Sequence, residues 1–423
     1  MLVRFAFENF RSFLEPQELL FTAANVDKNK TFTKLIDGPS GIGEKILPVS
    51  ALFGPNNTGK TNALRALRFM QRAVKYASGI DKKPRINHFR LSDRGINSPS
   101  TFDLEFICNG KHFNYGFTYL GEECTQEWLY EYSYVKRRSR RTLFERVKGE
   151  DIFFGPHFKG NNKVIENSLE KHDLFLSYAG RKFKNEVCLE IYNYFNANLK
   201  FRFEGDLRES SIAEALFEND NTKKLLEFLN DTDIDIQNIR VEEVEMDAKS
   251  IERNRKLFQA ISQALDTDFE YDSNDSRKEV FIEKLDEYGK LVSFSLEEES
   301  LGTRALISLM TEIFNILNTG GVFIVDELES SLHPHVTQRI LELFLDKSIN
   351  INGAQLFFTT HESSILNFDL MRKDEVWITE RDSKGVSTIF PLIKYKINSK
   401  VNLNKGYLEG RFGGVPTIYK TSK

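Results

Sequence analysis

Residues 49–61 read Val49-Ser50-Ala51-Leu52-Phe53-Gly54-Pro55-Asn56-Asn57-Thr58-Gly59-Lys60-Thr61. An apolar run leads into the pattern G-x-x-x-x-G-K-T, and helix-forming residues follow it. This order predicts a buried strand, a phosphate-binding loop and the N-terminus of a helix. The loop's backbone N–H groups then face a nucleotide's phosphates, Lys60 reaches the β- and γ-oxygens, and the Thr61 hydroxyl holds Mg²⁺. The predicted nucleotide-binding residues of the loop are Gly54, Pro55, Asn56, Asn57, Thr58, Gly59, Lys60 and Thr61.

The composition is that of a globular protein, and the length of the chain allows two or three domains. The chain has 423 residues, of which 40% are hydrophobic and 28% charged, and no window approaches the roughly 18 apolar residues of a membrane span. The N-terminal residues 1–10 lack the apolar core of a signal peptide, so we expect a cytoplasmic protein without a membrane partner. The formal net charge of −4 gives no overall attraction to nucleic acid.

A local basic run stands out against this balance. It is Lys136-Arg137-Arg138-Ser139-Arg140-Arg141, between the strand-like residues 128–134 and 142–147. One interpretation is a solvated hairpin tip. The other is contact with DNA or with an acidic partner surface.

An acidic pair ends an apolar run in the C-terminal half of the chain. Residues 322–325 are Val-Phe-Ile-Val, typical of a central strand, and Asp326 and Glu327 follow directly. Two adjacent carboxylates are costly to hold without cations. We expect Asp326 to bind Mg²⁺ together with Thr61 and Glu327 to activate water, the alternative being an acidic loop at a strand end.

Two further elements flank this pair. Ser300 and Gly302 precede a helix whose apolar residues repeat at a spacing of three or four, so both lie where a helix N-terminus can meet an anion. His361 follows residues 355–360, which are predicted to form another buried strand, so it lies at the strand-end edge of a P-loop sheet. There it is either a sensor of the γ-phosphate or a core histidine.

The remaining pattern predicts an α/β P-loop NTPase with a flanking antiparallel β-sheet and a helical insertion. Residues 1–24 indicate an edge hairpin, and Asn109-Gly110 indicates a two-residue hairpin turn between alternating strands. Leucine and isoleucine residues at helical spacing in 222–230 and 251–265 indicate the insertion. The predicted domains are an N-terminal lobe, 1–160, a helical insertion, 161–278, and a C-terminal lobe, 279–423.

The ordered set of motifs resembles an ABC-type ATPase head of the RecF/SMC/OLD-like group in prokaryotic defence, above all the stand-alone RloA-type and PARIS-type AAA-family ATPases. The resemblance covers most of the chain and is weak in 160–278. The motifs that carry it are Glu8-Asn9-Phe10-Arg11-Ser12-Phe13, Gly54–Thr61, Ser300-Leu301-Gly302-Thr303, Asp326-Glu327-Leu328-Glu329-Ser330-Ser331-Leu332-His333-Pro334, Thr359-Thr360-His361 and 407–416.

The resemblance implies a homodimer, or a larger homo-oligomer, that holds ATP and Mg²⁺ between two heads. The P-loop of one protomer would bind the phosphates, while Ser300 and Gly302 of the other would close on the γ-phosphate. It also implies that His361 acts as a switch and that Asn9 and Arg11 approach the nucleotide. The signature departs from the pattern Leu-Ser-Gly-Gly-Gln, and no Q-loop glutamine is evident because Gln71 lies in the P-loop helix. We therefore expect ATP binding with slow turnover.

Three functions follow from this resemblance. The first is a switch ATPase of antiviral (anti-phage) defence that controls a trans-acting effector, a TOPRIM- or RloB-like nuclease. The stretch after His361 is too short for a TOPRIM domain, so we expect the nuclease to be a separate protein. The alternative is a RecF-like ATP-dependent DNA-binding protein in repair, and the third is a scaffold that binds nucleotide without turnover.

Overall fold

The structure is a computed structural model. It describes residues 1–24, 36–37, 45–76, 85–134, 138–203, 212–214, 216, 221–232, 234–245, 251–253, 256, 276–330, 332–367, 370–397 and 402–415. Lys136 and Arg137 of the basic run, and most of the helix predicted at 251–265, lie outside the described residues.

The described elements form runs of strands separated by helices. The strands are β1 (Leu2–Glu8), β2 (Gln17–Leu20), β3 (Ile36–Asp37), β4 (Lys45–Ile46), β5 (Val49–Phe53), β6 (Ser100–Cys108), β7 (Lys111–Leu120), β8 (Glu123–Ser133), β9 (Ser139–Val147), β10 (Phe153–Phe154), β11 (Leu199–Arg202), β12 (Asn238–Glu245), β13 (Ser276–Leu285), β14 (Leu291–Ser295), β15 (Val322–Val325), β16 (Gln355–Thr360), β17 (Val376–Arg381) and β18 (Ser387–Pro391). The α-helices are α1 (Lys60–Tyr76), α2 (Asp93–Asn97), α3 (Asn162–Glu166), α4 (Phe175–Lys182), α5 (Glu186–Asn193), α6 (Thr222–Asp231), α7 (Leu301–Thr319), α8 (Pro334–Leu345) and α9 (Leu403–Leu408). A π-helical turn, Tyr194–Asn198, and four 3₁₀ turns among the described residues, Leu296–Glu298, Ser363–Ile365, Lys373–Glu375 and Leu392–Lys394, complete the set.

A largely parallel sheet carries the P-loop. Its strand order is β11-β15-β16-β5-β17-β18, and its pairs are parallel except for β17 with β18. Strands β5, β15 and β16 are buried along their whole length, which explains why their sequences do not alternate between apolar and polar residues. Their carboxyl ends meet at one edge, where the P-loop, Asp326 and His361 follow.

An antiparallel sheet accompanies it, in the order β10-β9-β8-β7-β6-β1-β2. The β6–β7 hairpin turns at Asn109 and Gly110, whose φ angles of 45° and 77° are those of the predicted two-residue turn. Strand β1 pairs with β2, as predicted, but it also pairs with β6. Of the two hairpin strands, therefore, β2 lies at an edge of the sheet and β1 does not. Together the two sheets confirm the predicted fold class, an α/β P-loop fold with a flanking antiparallel sheet.

The chain divides into two compact units, Met1–Glu204 with Ile316–Lys423, and Gly205–Asn315. These bounds differ from the helical insertion predicted at 161–278. Strand β11 pairs with β15 in the parallel sheet, so residues up to 203 belong to the ATPase head. The second unit also contains an antiparallel sheet, β12-β13-β14, and is therefore not purely helical.

Gln355 ties the start of β1 to the parallel sheet. Its side chain is 2% exposed. The amide oxygen accepts a hydrogen bond from Leu2 N at 2.6 Å, and the amide nitrogen donates to the carbonyl oxygens of Leu2 at 3.0 Å and Leu47 at 3.2 Å. One buried side chain thus satisfies three backbone groups from two distant segments.

We expect Gln355→Leu to lower the free energy of unfolding by about 3 kcal/mol, because it leaves three buried backbone groups unpaired at about 1 kcal/mol or more each. Urea unfolding followed by circular dichroism measures this change. Gln126→Leu, at an exposed position on β8, is the control and should change stability by less than about 0.5 kcal/mol. Equal stabilities of the two variants would contradict this role for Gln355.

Candidate nucleotide-binding site

The P-loop has the backbone conformation that its glycines allow. Strand β5 ends at Phe53, helix α1 begins at Lys60, and Gly54, Asn57 and Gly59 have φ angles of 151°, 67° and 109°. A Cβ atom on Gly54 would lie 2.3 Å from Thr379 Oγ1 and 2.8 Å from the Thr379 carbonyl oxygen. Glycine is therefore required at position 54 both for its conformation and for its small size.

Strand β17 supports the loop from one side. Thr58 Oγ1 and Thr379 Oγ1 lie 2.6 Å apart, and Arg381 Nη1 donates a hydrogen bond to Asn57 Oδ1 at 2.7 Å. Neither Thr379 nor Arg381 was predicted as a site residue. The only local signal is weak: β17 reads Val-Trp-Ile-Thr-Glu-Arg, with three consecutive polar residues at its end.

The C-terminal motif at 407–416 packs on this same strand. Gly414 N donates to Glu380 Oε1 at 3.0 Å, and the Tyr407 hydroxyl donates to the Gly414 carbonyl oxygen at 2.6 Å. A Cβ atom on Gly414 would lie 2.5 Å from Ile378 Cγ2. The motif therefore supports the strand that in turn supports the P-loop.

Lys60 lies at the centre of the site and is 5% exposed. Its Nζ donates to the carbonyl oxygens of Gly54 at 2.8 Å and Pro55 at 3.1 Å, and lies 3.5 Å from His361 Nδ1. Burial lowers the pKa of Lys60 to about 8, although nearby carboxylates, led by Glu327, oppose the shift. The carboxylates therefore offset only part of the cost of burying the Lys60 ammonium group. This is expected for a group that binds a polyanion.

Asp326 joins the P-loop to strand β16. Its Oδ1 accepts hydrogen bonds from Thr61 Oγ1 at 3.1 Å and from Thr359 Oγ1 at 2.7 Å. A carboxylate and a hydroxyl are the hard oxygen ligands that Mg²⁺ prefers, so Thr61 and Asp326 fit this ion. Among the described residues, no group of three or more His, Cys, Asp or Glu side chains is arranged to hold a metal.

Glu327 and His361 face each other beside this carboxylate. Glu327 Oε1 lies 3.6 Å from His361 Nε2, and each side chain is 34% exposed. Glu327 has a φ of 53°, in the left-handed region that non-glycine residues rarely adopt. The backbone N–H of His361 donates to Glu329 Oε1, so Glu329, which lay in the acidic motif but was not predicted as a site residue, holds the histidine in place.

The resemblance implied that Asn9 and Arg11 approach the nucleotide, and the structure gives Asn9 a different role. Asn9 is 2% exposed, and its amide nitrogen donates to the carbonyl oxygens of Gly95 and Ser98, both at 2.8 Å, while its oxygen accepts from Phe89 N at 3.1 Å. These bonds occupy the side chain and give it a structural role in the segment 89–98.

Arg11 lies over the Phe10 ring, 5.7 Å from its centroid, and burial together with Arg65 lowers its pKa. Ser12 and Phe13 of the N-terminal motif both reach the P-loop. Ser12 Oγ accepts a hydrogen bond from Asn62 Nδ2 at 2.9 Å. A Cβ atom on Gly59 would lie 3.0 Å from Ser12 Oγ and 3.0 Å from Phe13 Cζ.

Ser300 and Gly302 lie at the start of α7, in the second compact unit. Ser300 is exposed, and its Oγ accepts a hydrogen bond from Thr303 N at 3.1 Å. This is the geometry of a helix N-cap. Gln71 is buried in α1, where its amide nitrogen donates to the carbonyl oxygens of Phe195 at 2.8 Å and Leu199 at 2.7 Å, so it supports β11 rather than a Q-loop.

A family model described as "AAA domain, putative AbiEii toxin, Type IV TA system" matches residues 49–367. The chain belongs to this family. The matched AAA domain begins with the first residue of β5 and extends past His361, so it takes in the P-loop, Asp326, Glu327, Glu329 and His361 but not the N-terminal motif, β17 or the C-terminal motif. It confirms an ATPase of the P-loop class.

Solved structures give matches of low similarity. One is "SMC head domain from Thermotoga maritima", at 13% identity and a TM-score of 0.38 over 92% of this chain and 98% of that one. Another is an SMC head "bound to the C-winged helix domain of ScpA", at 12% identity and a TM-score of 0.41 over 92% and 97%. The comparison with curated proteins gives no match. None of the described helices is both long and apolar enough to cross a membrane.

We expect ATP binding to take up a proton at pH 8.5, because Lys60, with a pKa of about 8, is mostly neutral there and the phosphates favour its charged form. Isothermal titration in two buffers of different ionisation enthalpy measures the uptake, and apparent affinity should fall as the pH rises above 8. Lys60→Arg is the control, since its guanidinium stays protonated and any residual binding should take up no proton. Wild-type binding without proton uptake would contradict this expectation.

Proposed function

We propose that this protein is an ATP-binding, slowly hydrolysing switch ATPase of an antiviral (anti-phage) defence system that controls a separate effector. The observation that carries the proposal is the meeting of Lys60, Asp326, Glu327 and His361 at the carboxyl ends of β5, β15 and β16. These are the groups needed to bind the phosphates, hold Mg²⁺ and orient water. Slow turnover is supported by the signature Glu-Ser-Leu-Gly-Thr, which departs from the usual pattern.

The residues of the chain divide this work between them. Bound Mg²⁺, held by Thr61 and Asp326, would supply charge to neutralise the phosphate oxygens. Lys60 exchanges its bonds to the Gly54 and Pro55 carbonyls for bonds to phosphate. Glu327 accepts the proton of the attacking water. His361 Nε2 lies 3.6 Å from Glu327 Oε1 and directly follows β16, so protonation of Glu327 would be sensed at the end of that strand.

The proposed assembly is a homodimer, or a larger homo-oligomer built from the same contact, in which ATP lies between two heads. Ser300 and Gly302 would belong to the second copy's half of the site. Two features support this role: the start of α7 is exposed at Ser300, and a helix N-terminus carries unpaired N–H groups and the positive end of the helix dipole, both suited to a γ-phosphate. ATP would then make the contact between protomers depend on nucleotide state.

The defence role is supported by the family's description, which names a toxin of a type IV toxin–antitoxin system. The proposed effector is a nuclease, TOPRIM- or RloB-like, that acts in trans in the cytoplasm and is held or released by the geometry of the heads. Purification from the native operon, followed by mass spectrometry of the bound proteins, would identify it.

We expect Glu327→Gln to abolish steady-state ATP hydrolysis while retaining ATP binding, because the amide cannot accept the proton of water. The variant should then accumulate as an ATP-bound dimer, measured by size-exclusion chromatography with light scattering in ATP and Mg²⁺. Glu342→Gln, at an exposed position on α8, is the control and should behave as wild type. Equal background rates for wild type and Glu327→Gln would support the scaffold interpretation instead.

The contribution of the second copy is checked by mixing two inactive variants. Lys60→Ala disables the P-loop and Ser300→Arg disables the signature, yet a mixed dimer contains one intact pair of half-sites. Hydrolysis should therefore reappear on mixing. Two inactive variants that stay inactive after mixing, although they form mixed dimers, would contradict the composite site.

A second candidate, an ATP-dependent DNA-binding protein of the RecF type, is favoured by the surface of the antiparallel sheet. Arg140 lies over the Tyr130 ring at 4.1 Å from its centroid, and Arg138 over Tyr132 at 4.4 Å. Arg140 and Arg141 are exposed. Guanidinium groups held against aromatic rings at a strand end suit contacts with phosphates and bases.

If DNA binds there, we expect the double variant Arg140→Glu and Arg141→Glu to weaken it by at least tenfold and to lower the slope of log affinity against log salt by about 2. Fluorescence anisotropy with a labelled duplex at several salt concentrations measures both. The exposed Lys223→Glu and Lys224→Glu pair on α6 is the control. An unchanged affinity in the arginine variant would exclude this surface.

A further inference from the structure

Thr359 is a buried polar residue of β16, near the carboxyl end of the parallel sheet. It lies next to the end of β16, between β15 and β5, and pairs with Leu52 of β5, while its neighbour Phe358 pairs with Val325 of β15. The side chain is 0% exposed. A polar side chain at this position therefore lies between the strand that ends in Asp326 and the strand that leads into the P-loop.

This one residue makes a hydrogen bond with each of three consecutive residues of the neighbouring turn. Thr359 Oγ1 donates to Asp326 Oδ1 at 2.7 Å and accepts from Glu327 N at 2.8 Å. Its carbonyl oxygen accepts from Leu328 N at 3.1 Å. The hydroxyl thus orients the carboxylate of one acidic residue and the backbone of the next.

The turn that these bonds hold is strained. Glu327 has a φ of 53°, and a non-glycine residue keeps such a conformation only where its surroundings fix it. The fixed conformation places Glu327 Oε1 3.6 Å from His361 Nε2. At the same time Asp326 Oδ1 stays 3.1 Å from Thr61 Oγ1, so both acidic residues depend on the same threonine.

We propose that Thr359 is a positioning residue, whose hydroxyl sets the Mg²⁺-binding face of Asp326 and the water-activating direction of Glu327. This inference rests on the proposed ATPase function of the same site. The hydroxyl acts through the two carboxylates, much as partners behind metal ligands hold them in productive orientation. Thr360, the next residue, uses its own hydroxyl differently, to accept from Glu362 N at 2.9 Å.

The test compares Thr359→Val, which keeps the shape and removes the hydroxyl, with Thr359→Ser, which keeps the hydroxyl. The control is Thr337→Val on α8, where the hydroxyl is equally buried and has no hydrogen-bond partner within the described part of the chain. Three quantities are measured: ATP affinity in EDTA, the gain in that affinity with Mg²⁺, and kcat and KM for hydrolysis. Thermal unfolding is recorded for each variant.

We expect Thr359→Val to bind ATP in EDTA with wild-type affinity. The increase in ATP affinity that Mg²⁺ causes should be about 10- to 100-fold smaller than in wild type, and kcat should fall by a similar factor. Thr359→Ser should restore most of both, and Thr337→Val should match wild type. A Thr359→Val protein with normal Mg²⁺ dependence and kcat would overturn the proposal, as would a serine variant as impaired as the valine one.

Different results would contradict the proposed ATPase function and the positioning role of Thr359. If wild type binds ATP with Mg²⁺ but does not hydrolyse it, the proposed ATPase function fails while the Mg²⁺ titration still decides the role of Thr359. If wild type binds ATP equally with and without Mg²⁺, both fail.

Discussion

A single carboxylate oxygen, Asp326 Oδ1, joins the two halves of the nucleotide site. It accepts hydrogen bonds from Thr61 at the start of α1 and from Thr359 at the end of β16. Because Asp326 is 8% exposed, its charge would be costly without such donors. The strand order β15-β16-β5 is what makes the junction possible, since it brings three strand ends together at one edge.

The sequence predicted this part of the site well because each element carries a local signal. Three signals can be recognised without knowing their neighbours. They are the glycines of the P-loop, the apolar residues of β5, β15 and β16, and the polar residue that directly follows β15 and β16. The β6–β7 hairpin is a similar case, since Asn109-Gly110 specifies its own turn. Such elements are determined by a few adjacent residues.

Elements whose role depends on distant partners were not predictable in this way. Strand β11 is a short edge strand with two charged residues, and only its pairing with β15 assigns it to the parallel sheet. Thr379 supports the P-loop, and Asn9 satisfies backbone groups of the segment 89–98, through contacts that leave no local pattern. Glu127 is another example: it is fully buried, its pKa is raised by that burial, and it accepts from Phe175 N and Leu176 N at the start of α4.

The support that β17 gives to the P-loop has a consequence for biosynthesis. Thr58 and Thr379 are 321 residues apart in the chain, and β5 lies between β16 and β17 in the sheet. At ordinary translation rates, about half a minute passes between the appearance of the loop and that of its supporting strand. A nascent chain therefore carries the P-loop sequence long before the strand that supports the loop has been made.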